Sequence, residues 1–394
     1  MTRLWTGLGI STAADTSTAV ASAVMEAQAQ LAGQPTGLAF VTATVEHDAQ
    51  VVCKTLASVL PGVPIHGVTT SLGVLSKRGI VTSNDGAVAV LLFAATGNIG
   101  FAVGSAVLSD DAKAAGRAVA LQIKQSPLPP RVLLLNGSPG REEDILAGIA
   151  EVLADVPAFG GSAADHAIAG EWSVFTSQGA FTDAVSVAAL CGDVPFSGAL
   201  LAPFVPTDCA ATVTQGQDRR LAALDGQPAA EVLNRWLGGS LDFQLEEGGN
   251  ILAQTALRPL AVRHQTSQGE HFVTLHPAHV HAQDHSVDLF ARVNPGDRIC
   301  MMSGTVEGLT AVLDDLYALT RQKLAAEQVR VAILIYCAGC AGAVGGLLHD
   351  ALVEKLGKNL GDVPLLGLCT FGEQGFVPGL GNVHQDLSVS LLLL

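Results

Sequence analysis

Residues 131–168 read RVLLLNGSPGREEDILAGIAEVLADVPAFGGSAADHAI, and this stretch shows the unit from which the chain is built. An apolar run, Val132–Leu135, predicts a buried strand, and a small polar loop follows it. Apolar residues then recur at helical spacing from Ile145 to Leu153. Val156-Pro157 ends this helix, and Gly160 permits a tight turn before a loop rich in Gly and Ser. The pattern predicts a unit of strand, loop, helix, turn and hairpin.

The same unit occurs three times in the sequence. The apolar strand and the Val-Pro-x-x-Gly pattern recur together, and each copy closes with an aspartate before an alternating strand: Leu38–Val41, Val63 to Gly67 and Asp85; Val132–Leu135, Val156 to Gly160 and Asp183; Val331–Ile335, Val363 to Gly367 and Asp386. A strand near Phe101–Val107 and a helix from Asp110-Asp111 separate the first two copies. A similar pair, Ile299–Met302 and a helix near Leu309–Leu324, precedes the third.

These units predict an α/β fold class, with two domains of mixed sheets covered by helices and built from repeated strand-loop-helix-hairpin units. Prolines cluster between Asp193 and Pro206, which predicts a boundary there and gives domains 1–205 and 206–394. Ligands of such sheets bind beyond the strand ends, where loops converge. The loops of the three units are therefore the candidate binding site.

Composition narrows the classes of function. The chain has 394 residues, of which 49 % are hydrophobic and 14 % are charged, so most of it is expected to pack into cores. A net charge of −15 argues against nucleic acid or an anionic membrane as partner. The apolar stretch Gly86–Leu108 is interrupted by polar residues and predicts two strands joined by a turn rather than a membrane span. The first residues show no signal peptide, and seven cysteines form no secreted framework, so we expect a cytoplasmic protein with free thiols.

Two cysteines and two partners in the third unit are the strongest chemical candidates. Cys337 and Cys340 follow the third unit's first strand, and they allow a nucleophile, a redox pair, or a soft metal or haem ligand. His384 and Glu373 lie in the same unit, and with Cys337 they suggest the thiol, imidazole and carboxylate of a nucleophilic hydrolase. The alternative interpretation is structural: the two cysteines pack in a tight turn, the Gly-Glu pair forms a turn, and the histidine is half-buried.

Polar side chains occupy the corresponding loops of the first two units. Hydroxyls, amides and short acids there are candidates to orient a small ligand, although the same residue types also favour turns: Thr70, Ser71, Asn136, Ser138, Ser162, Asp165 and His166. A separate cluster of six histidines lies between His264 and His285. His279 and His281 are spaced for one face of a strand, so they are candidate metal ligands, with solvated histidines beside a hairpin turn as the alternative.

The order of these motifs resembles a known family. The stretch from Pro157 through Gly160-Gly161-Ser162-Ala163-Ala164-Asp165 is similar to the signature of the FIST N-terminal domain. Tyr336–Cys340, Gly372-Glu373 and His384–Asp386 resemble the FIST C-terminal pattern. The resemblance implies a bacterial, intracellular sensor that binds a small ligand and signals with a histidine kinase or a cyclic-di-nucleotide enzyme.

The resemblance also implies ligands and ligand-binding residues. Amino acids, or haem that senses nitric oxide, are the ligand classes it suggests, with His166 and His384 as candidate haem contacts. It adds Cys340 and Cys369 to the ligand-binding candidates, and Cys340 stands where many relatives carry arginine, whose guanidinium captures carboxylate or phosphate.

Three functions are therefore open. The first is a sensor without turnover, whose small ligand binds where the loops converge. The second is a cysteine-dependent hydrolase of a carbonyl or amide compound that uses Cys337, His384 and Glu373. The third is a metal-dependent hydrolase built on the histidine cluster.

Overall fold

The three predicted units are present in the structure, a computed structural model that describes residues 2–266, 269–324 and 329–394. Each unit supplies most of one six-stranded sheet, and a fourth sheet lies outside the repeat. The α/β class, with mixed sheets covered by helices and built from a repeated unit, is confirmed.

In the first unit, an aspartate begins each helix. The carboxylates of Asp15 and Asp48 accept N–H groups of the first helical turn, which would otherwise lack partners. The elements are β1 Arg3–Ser11, α1 Thr16–Ala29, β2 Leu38–Ala43, α2 Ala49–Val59, β3 Ile65–Thr69, the hairpin β4 Val74–Ser76 and β5 Gly79–Val81, and β6 Val88–Thr96.

The second unit repeats this order. Asp111 caps its first helix, as the sequence predicts. The elements are β7 Ile99–Val107, α3 Ala112–Lys124, β8 Pro130–Gly137, α4 Glu142–Leu153, β9 Ala158–Ser162, the hairpin β10 Val174–Thr176 and β11 Gly179–Phe181, and β12 Ala184–Gly192. The predicted strand, turn and strand within Gly86–Leu108 is also confirmed, as β6 and β7.

The third unit is interrupted directly after its first strand, β13 Ser197–Leu201. Residues 202–304, here called the insert, form the fourth sheet, whose described strand pairs are antiparallel. The insert contains β14 Val205–Gln217, β15 Arg220–Leu224, β16 Gln227–Pro228, α5 Ala229–Trp236, α6 Asp242–Glu247, β17 Gly249–Asn250, α7 Leu252–Thr255, β18 Leu260–Thr266, β19 Gly269–Leu275, β20 Pro277–Val280, β21 Val287–Leu289 and β22 Arg298–Ser303.

One prediction about this unit is corrected. The strand predicted at Ile299–Met302 exists as β22, but it pairs with β14 and β18 of the insert. The counterpart of β1 and β7 in the third unit is β13, because β13 pairs with the unit's last strand. The helix that follows in the repeat comes only after the insert, at α8 Val306–Arg321.

The rest of the third unit follows the repeat, with a broken helical segment. The elements are β23 Ala332–Cys337, α9 Ala338–Val344, α10 Leu347–Ala351, a π-helical stretch Leu352–Gly357, α11 Lys358–Leu360, β24 Leu365–Thr370, the hairpin β25 Glu373–Val377 and β26 Gly381–Gln385, and β27 Val389–Leu393.

The units exchange their hairpins in a closed cycle. The first sheet has the order β1-β6-β2-β3-β10-β11, so the second unit's hairpin completes it. The second sheet, β26-β25-β9-β8-β12-β7, takes the hairpin of the third unit. The third sheet, β13-β27-β23-β24-β4-β5, takes the hairpin of the first unit. Because each unit completes a neighbour's sheet, the three units interlock, and the boundary at 205/206 stays a prediction.

The glycine of Val-Pro-x-x-Gly has a different role from the one the sequence suggested. Gly67 and Gly160 lie within β3 and β9, not in a tight turn. A Cβ at Gly160 would lie 1.6 Å from the carbonyl oxygen of Leu135 on the paired parallel strand, and one at Gly67 would lie 1.8 Å from that of Val41. The glycine therefore permits a close backbone approach between the two parallel strands.

The inner faces of the three sheets share one hydrophobic core. Side chains from each sheet meet there, among them Phe40, Leu134 and Ile335. Helices α1 and α2 cover the outer face of the first sheet, and α3 and α4 cover the second. Within the described part of the chain, no helix combines the length and the apolar character that crossing a membrane requires.

Candidate functional site

The loops that follow the parallel strands open onto one cavity of about 1110 Å³. Ser71 follows β3 of the first unit, and Pro139-Gly140 and His166–Ile168 follow β8 and β9 of the second. Cys337 ends β23 of the third unit, Thr370 ends β24, and Phe371-Gly372 follows it. All three copies of the repeat therefore supply this cavity, at the place where the sequence put the candidate loops.

The insert closes the cavity from the other side. Asn250, His276, His279 and Phe290 line it from the strands and loops of the insert, and Arg219 lines it from the turn between β14 and β15. Most of the lining is apolar, and a few polar groups lie within it. This is the usual chemistry of a small-molecule site: apolar walls bury the ligand, and sparse polar groups orient it.

Aromatic pairs form part of the walls. Trp172 and Phe371 meet edge to face with ring centroids 6.1 Å apart, and His276 meets Phe290 in the same way at 5.9 Å. Edge-to-face contact fixes the orientation of both rings in each pair. The orientations of these four rings are therefore fixed by contacts within the protein.

Cys337 is the thiol that borders the cavity. It ends β23, and its residue is 6 % exposed. Interaction with the Cys340 thiol lowers the pKa of Cys337 and outweighs burial, which acts to raise it. Burial raises the pKa of Cys340 and of Cys369, and neither of these residues lines the cavity. The three thiols therefore differ in chemistry, and Cys337 is the one suited to be a thiolate.

Glu373 is fully buried beneath these cysteines. Its carboxylate accepts hydrogen bonds from the Thr370 hydroxyl at 2.9 Å and from the Ser388 N–H and hydroxyl, both at 3.1 Å. Burial, with the charge of the nearby Cys337, raises the pKa of Glu373 well above its usual range. Glu373 contacts no imidazole through these bonds, so it does not orient His384.

His384 is also buried, and its ring nitrogens face Gln374 and Asp386. Its Nδ1 lies 3.3 Å from Nε2 of Gln374, and its Nε2 lies 3.7 Å from Oδ1 of Asp386. Burial acts to lower the pKa of His384, but the charges of Glu142 and Glu143 outweigh it and raise that pKa. Among the described residues no hydrogen bond joins any two of Cys337, His384 and Glu373. The predicted triad is thus not assembled.

The imidazole of His276 lies on the same side of the cavity as Cys337, across Gly339 from it. A Cβ built on Gly339 would lie 3.6 Å from the Cys337 sulfur and 3.6 Å from Cε1 of His276, so both groups flank this glycine. Burial lowers the pKa of His276 to about 4, which keeps the ring neutral at neutral pH. The Oδ2 atom of Asp386 accepts the backbone N–H of His276 at 2.8 Å. Sequence reasoning grouped His276 with a metal cluster, because its proximity to Cys337 depends on how the insert packs.

Arg219 joins the insert to the second unit, and sequence reasoning missed this residue. Its guanidinium donates to Glu142 at 2.6 Å and to Glu143 at 2.8 Å, and the Ser162 hydroxyl donates to Glu142 at 2.6 Å. Burial acts to raise the pKa of Glu143, but His384 and Arg219 outweigh it and lower the pKa to about 2. Nothing in the sequence pointed to the pairing of these acids with Arg219, which lies more than 70 positions further along the chain.

Three of the predicted ligand-binding side chains support the backbone instead. The Thr70 hydroxyl accepts the Cys369 N–H at 2.8 Å, the Asn136 amide donates to the Gly161 carbonyl at 2.9 Å, and the Ser138 hydroxyl accepts the Ala184 N–H at 2.8 Å. All three side chains are buried, and none lines the cavity. They hold the strand ends from which the lining residues project.

Asp165 and His166 shape the second unit's loop. Asp165 accepts the backbone N–H groups of Ala167, Ala169 and Glu171, at 2.9 to 3.0 Å. Burial acts to raise the pKa of Asp165, but these backbone bonds outweigh it and lower that pKa. His166 lines the cavity, and its two ring nitrogens contact the Leu72 N–H at 3.3 Å and Glu46 at 2.8 Å.

The histidine cluster is divided among different contacts. His279 is exposed and lines the cavity, and its ring lies 5.0 Å from that of His281. His281 pairs with Asp288 at 2.7 Å, and His285 pairs with Glu231 at 2.9 Å. Among the residues that the structure describes, no three His, Cys, Asp or Glu side chains are grouped to hold a metal ion. A metal centre on His279 and His281 is therefore without a third ligand.

Family models match nearly the whole chain. The FIST N domain matches residues 37–227, and the FIST C domain matches residues 229–376. The chain belongs to the FIST family. The cavity lies between residues of both FIST domains, and the two models meet within the insert, close to Gly226 and Pro228.

Other comparisons add little. No curated protein matches the chain. The structure of cyanuric acid hydrolase from A. caulinodans is 11 % identical over 51 % of this chain and 72 % of that chain, with a TM-score of 0.28. A second structure, whose description names cyanuric acid hydrolase and evolutionary innovation by structural concatenation, is 9 % identical. The match covers 66 % of this chain and 82 % of that chain, with a TM-score of 0.27. Structural similarities with TM-scores this low support no conclusion about activity.

Proposed function

We propose that this FIST protein is a sensor that binds one small ligand in the cavity between the repeat loops and the insert. The observation that supports this most is the cavity itself, about 1110 Å³ with mainly apolar walls and few polar groups. A ligand there contacts all three units and the insert at once. The bound ligand would stabilise one relative arrangement of the units and the insert, and a separate signalling partner would bind differently to that arrangement.

We favour a hydrophobic amino acid over haem as the ligand. Asp386 lines the cavity and offers a carboxylate to an ammonium group, and the aromatic walls suit an apolar side chain. The donor set does not fit haem. His166 and His276 already use their ring nitrogens on Glu46, Leu72 and the Leu252 carbonyl, and Arg219 is neutralised by two carboxylates that would repel propionates. His279 is exposed, so it would leave haem iron open to water.

The signalling partner belongs to the same proposal. A histidine kinase or a cyclic-di-nucleotide enzyme is the class of partner that FIST membership favours. Ligand binding would change the partner's output through the closure of the insert over the repeat. A partner assay with and without the ligand tests this step separately from binding.

Ligand binding is tested by thermal-shift measurements with a panel of hydrophobic amino acids and haemin. The panel is applied to wild type, Gly342→Phe and Gly346→Phe. Gly342 lines the cavity and Gly346 does not, and a Cβ on either meets no atom within 4 Å. Gly342→Phe therefore places an aromatic ring at the cavity wall and reduces the space for a ligand, while Gly346→Phe is the matched control. A hydrophobic amino acid at about 100 times its Kd should stabilise wild type and Gly346→Phe by about 2.7 kcal/mol, and Gly342→Phe by much less. Equal shifts in all three proteins would contradict the cavity as the site.

The structure gives one observation in favour of a second function, a cysteine-dependent hydrolase. Cys337 borders the cavity with a lowered pKa, and neutral His276 lines the same cavity across Gly339. His276 would replace His384 as the base in that mechanism. Loss of ester turnover in both Cys337→Ala and His276→Ala, with retention in His384→Gln, would support it.

A further inference from the structure

The two cysteines of the Cys-x-x-Cys motif differ in access to the cavity. Cys337 lies at the cavity wall, while Cys340 is one turn further on, with no exposed surface. Cys337 is the residue that precedes α9 and Cys340 lies three positions later within this helix, so both thiols are at the same helix start, and each thiol shifts the pKa of the other. An accessible cysteine with a buried neighbouring thiol is the arrangement that a redox pair needs, because the second thiol resolves the oxidised form of the first.

Other uses of these thiols fit the structure less well. Cys369 lies on β24, the strand paired with β23, and it is fully buried. Three thiols near one another suggest a metal, but no metal-binding group is present among the described residues. Cys209, the cysteine with the most exposed surface, lies in the insert and does not line the cavity.

We propose that Cys337 and Cys340 form a dithiol site at the cavity wall that organic hydroperoxides oxidise to an intramolecular disulfide. This site goes beyond small-ligand sensing and does not depend on the identity of the sensed ligand. The apolar walls around Cys337, which include Leu252 and Phe290, favour a hydroperoxide with an apolar body over hydrogen peroxide.

The reaction is balanced without a further reagent. The Cys337 thiol releases its proton to water, the thiolate attacks the outer oxygen of the hydroperoxide, and the O–O bond breaks; the alkoxide takes up a proton from water that balances the one released, and leaves as an alcohol. The sulfenic acid on Cys337 then condenses with the Cys340 thiol. An S–S bond forms, and the sulfenic hydroxyl leaves as water with the Cys340 proton. Two thiols lose two electrons and two protons, and the hydroperoxide is reduced to alcohol and water.

The surroundings of the two sulfurs suit these roles. The lowered pKa of Cys337 favours the attacking thiolate. Burial holds Cys340 as a thiol that carries the proton needed for the departing water, and the nearby Glu373 carboxylate adds to the rise in its pKa. The attacking and resolving positions are therefore fixed by burial rather than by chance encounter.

Peptide mapping of the full chain tests the proposal. Wild type is treated with one equivalent of cumene hydroperoxide, and the peptide that contains Cys337 and Cys340 is expected to lose two hydrogen atoms in mass. Cys340→Ser should instead trap a sulfenic acid on Cys337, seen as a dimedone adduct. Cys337→Ser should abolish the Cys337–Cys340 disulfide and slow hydroperoxide consumption at pH 7 by about tenfold or more, because the attacking thiolate is absent.

Controls separate the site from general thiol oxidation. Cys209→Ser removes the most exposed thiol and should leave both products and rate unchanged. Gly342→Phe should slow oxidation by cumene hydroperoxide while Gly346→Phe does not. The proposal is overturned if wild type forms no Cys337–Cys340 disulfide, or if oxidation falls first on other cysteines. Either result leaves the thermal-shift test of amino-acid binding unaffected.

Discussion

At the residue scale, the site depends on groups whose ionisation is set by burial. Glu373 and Asp386 are fully or almost fully buried, and burial raises both pKa values, that of Asp386 to about 6. A neutral acid costs little to bury, whereas a charged one must be compensated by partners. Asp386 in the cavity wall and Glu373 in the core therefore take up protons more readily in the folded chain than in the unfolded chain.

The buried acid Glu373 gives the protein a pH-dependent stability. Because its folded pKa is raised, its contribution is present below the unfolded value near 4.5 and is lost as pH rises through the folded pKa. Glu373→Gln removes this titration while its amide can still bond to Thr370 and Ser388. The free energy of unfolding of wild type should fall more between about pH 5 and about pH 8 than that of the variant. If urea unfolding shows the same change in the free energy of unfolding with pH for wild type and Glu373→Gln, Glu373 does not titrate as a buried acid.

At the element scale, the parallel strand pairs explain the repeat's glycine. Val-Pro-x-x-Gly marks the entry to β3, β9 and β24, and the glycine faces the paired strand's backbone in the first two. Sequence reasoning found the motif and its period but assigned it to a turn. The reason is physical, since strand contact across a parallel pair depends on residues more than 20 positions away along the chain.

Replacing this glycine tests its role in the strand pair. Gly160→Ala places a Cβ against the Leu135 carbonyl, so the two backbones must separate, which should cost more than about 2 kcal/mol of stability. Gly346→Ala is the control, because its Cβ meets nothing within 4 Å and its stability should change by less than about 1 kcal/mol. Equal urea midpoints for Gly160→Ala and wild type would mean that the close approach is unimportant.

Contact between the insert and α4 is tested through Arg219. Arg219→Met leaves Glu142 and Glu143 without the cation that both contact, which should lower the free energy of unfolding by about 3–5 kcal/mol. Adding Glu142→Gln and Glu143→Gln to Arg219→Met should recover much of this loss, since no uncompensated charge is then buried. If Arg219→Met alone is as stable as wild type, the contact of Arg219 with Glu142 and Glu143 does not hold the insert in place.

At the scale of the whole molecule, the repeat was predictable and its closure was not. The strands, helices and caps follow from apolar spacing and from aspartates such as Asp48 and Asp111, which act locally. The exchange of hairpins pairs Leu75 with Gly367, nearly 300 positions apart, and no local pattern encodes such a partner. For the same reason the sequence named Cys337 and Ser71 for the site but missed Arg219 and the place of His276 in the cavity wall.

The central claim is that three repeat loops and the insert form one ligand cavity. Titration with 8-anilinonaphthalene-1-sulfonate, whose fluorescence rises in apolar surroundings, tests it most directly on wild type, Gly342→Phe and Gly346→Phe. The account predicts one saturable site per chain in wild type and Gly346→Phe, and a loss of about tenfold or more in affinity when Gly342→Phe occupies the cavity. Equal binding by all three proteins would contradict it.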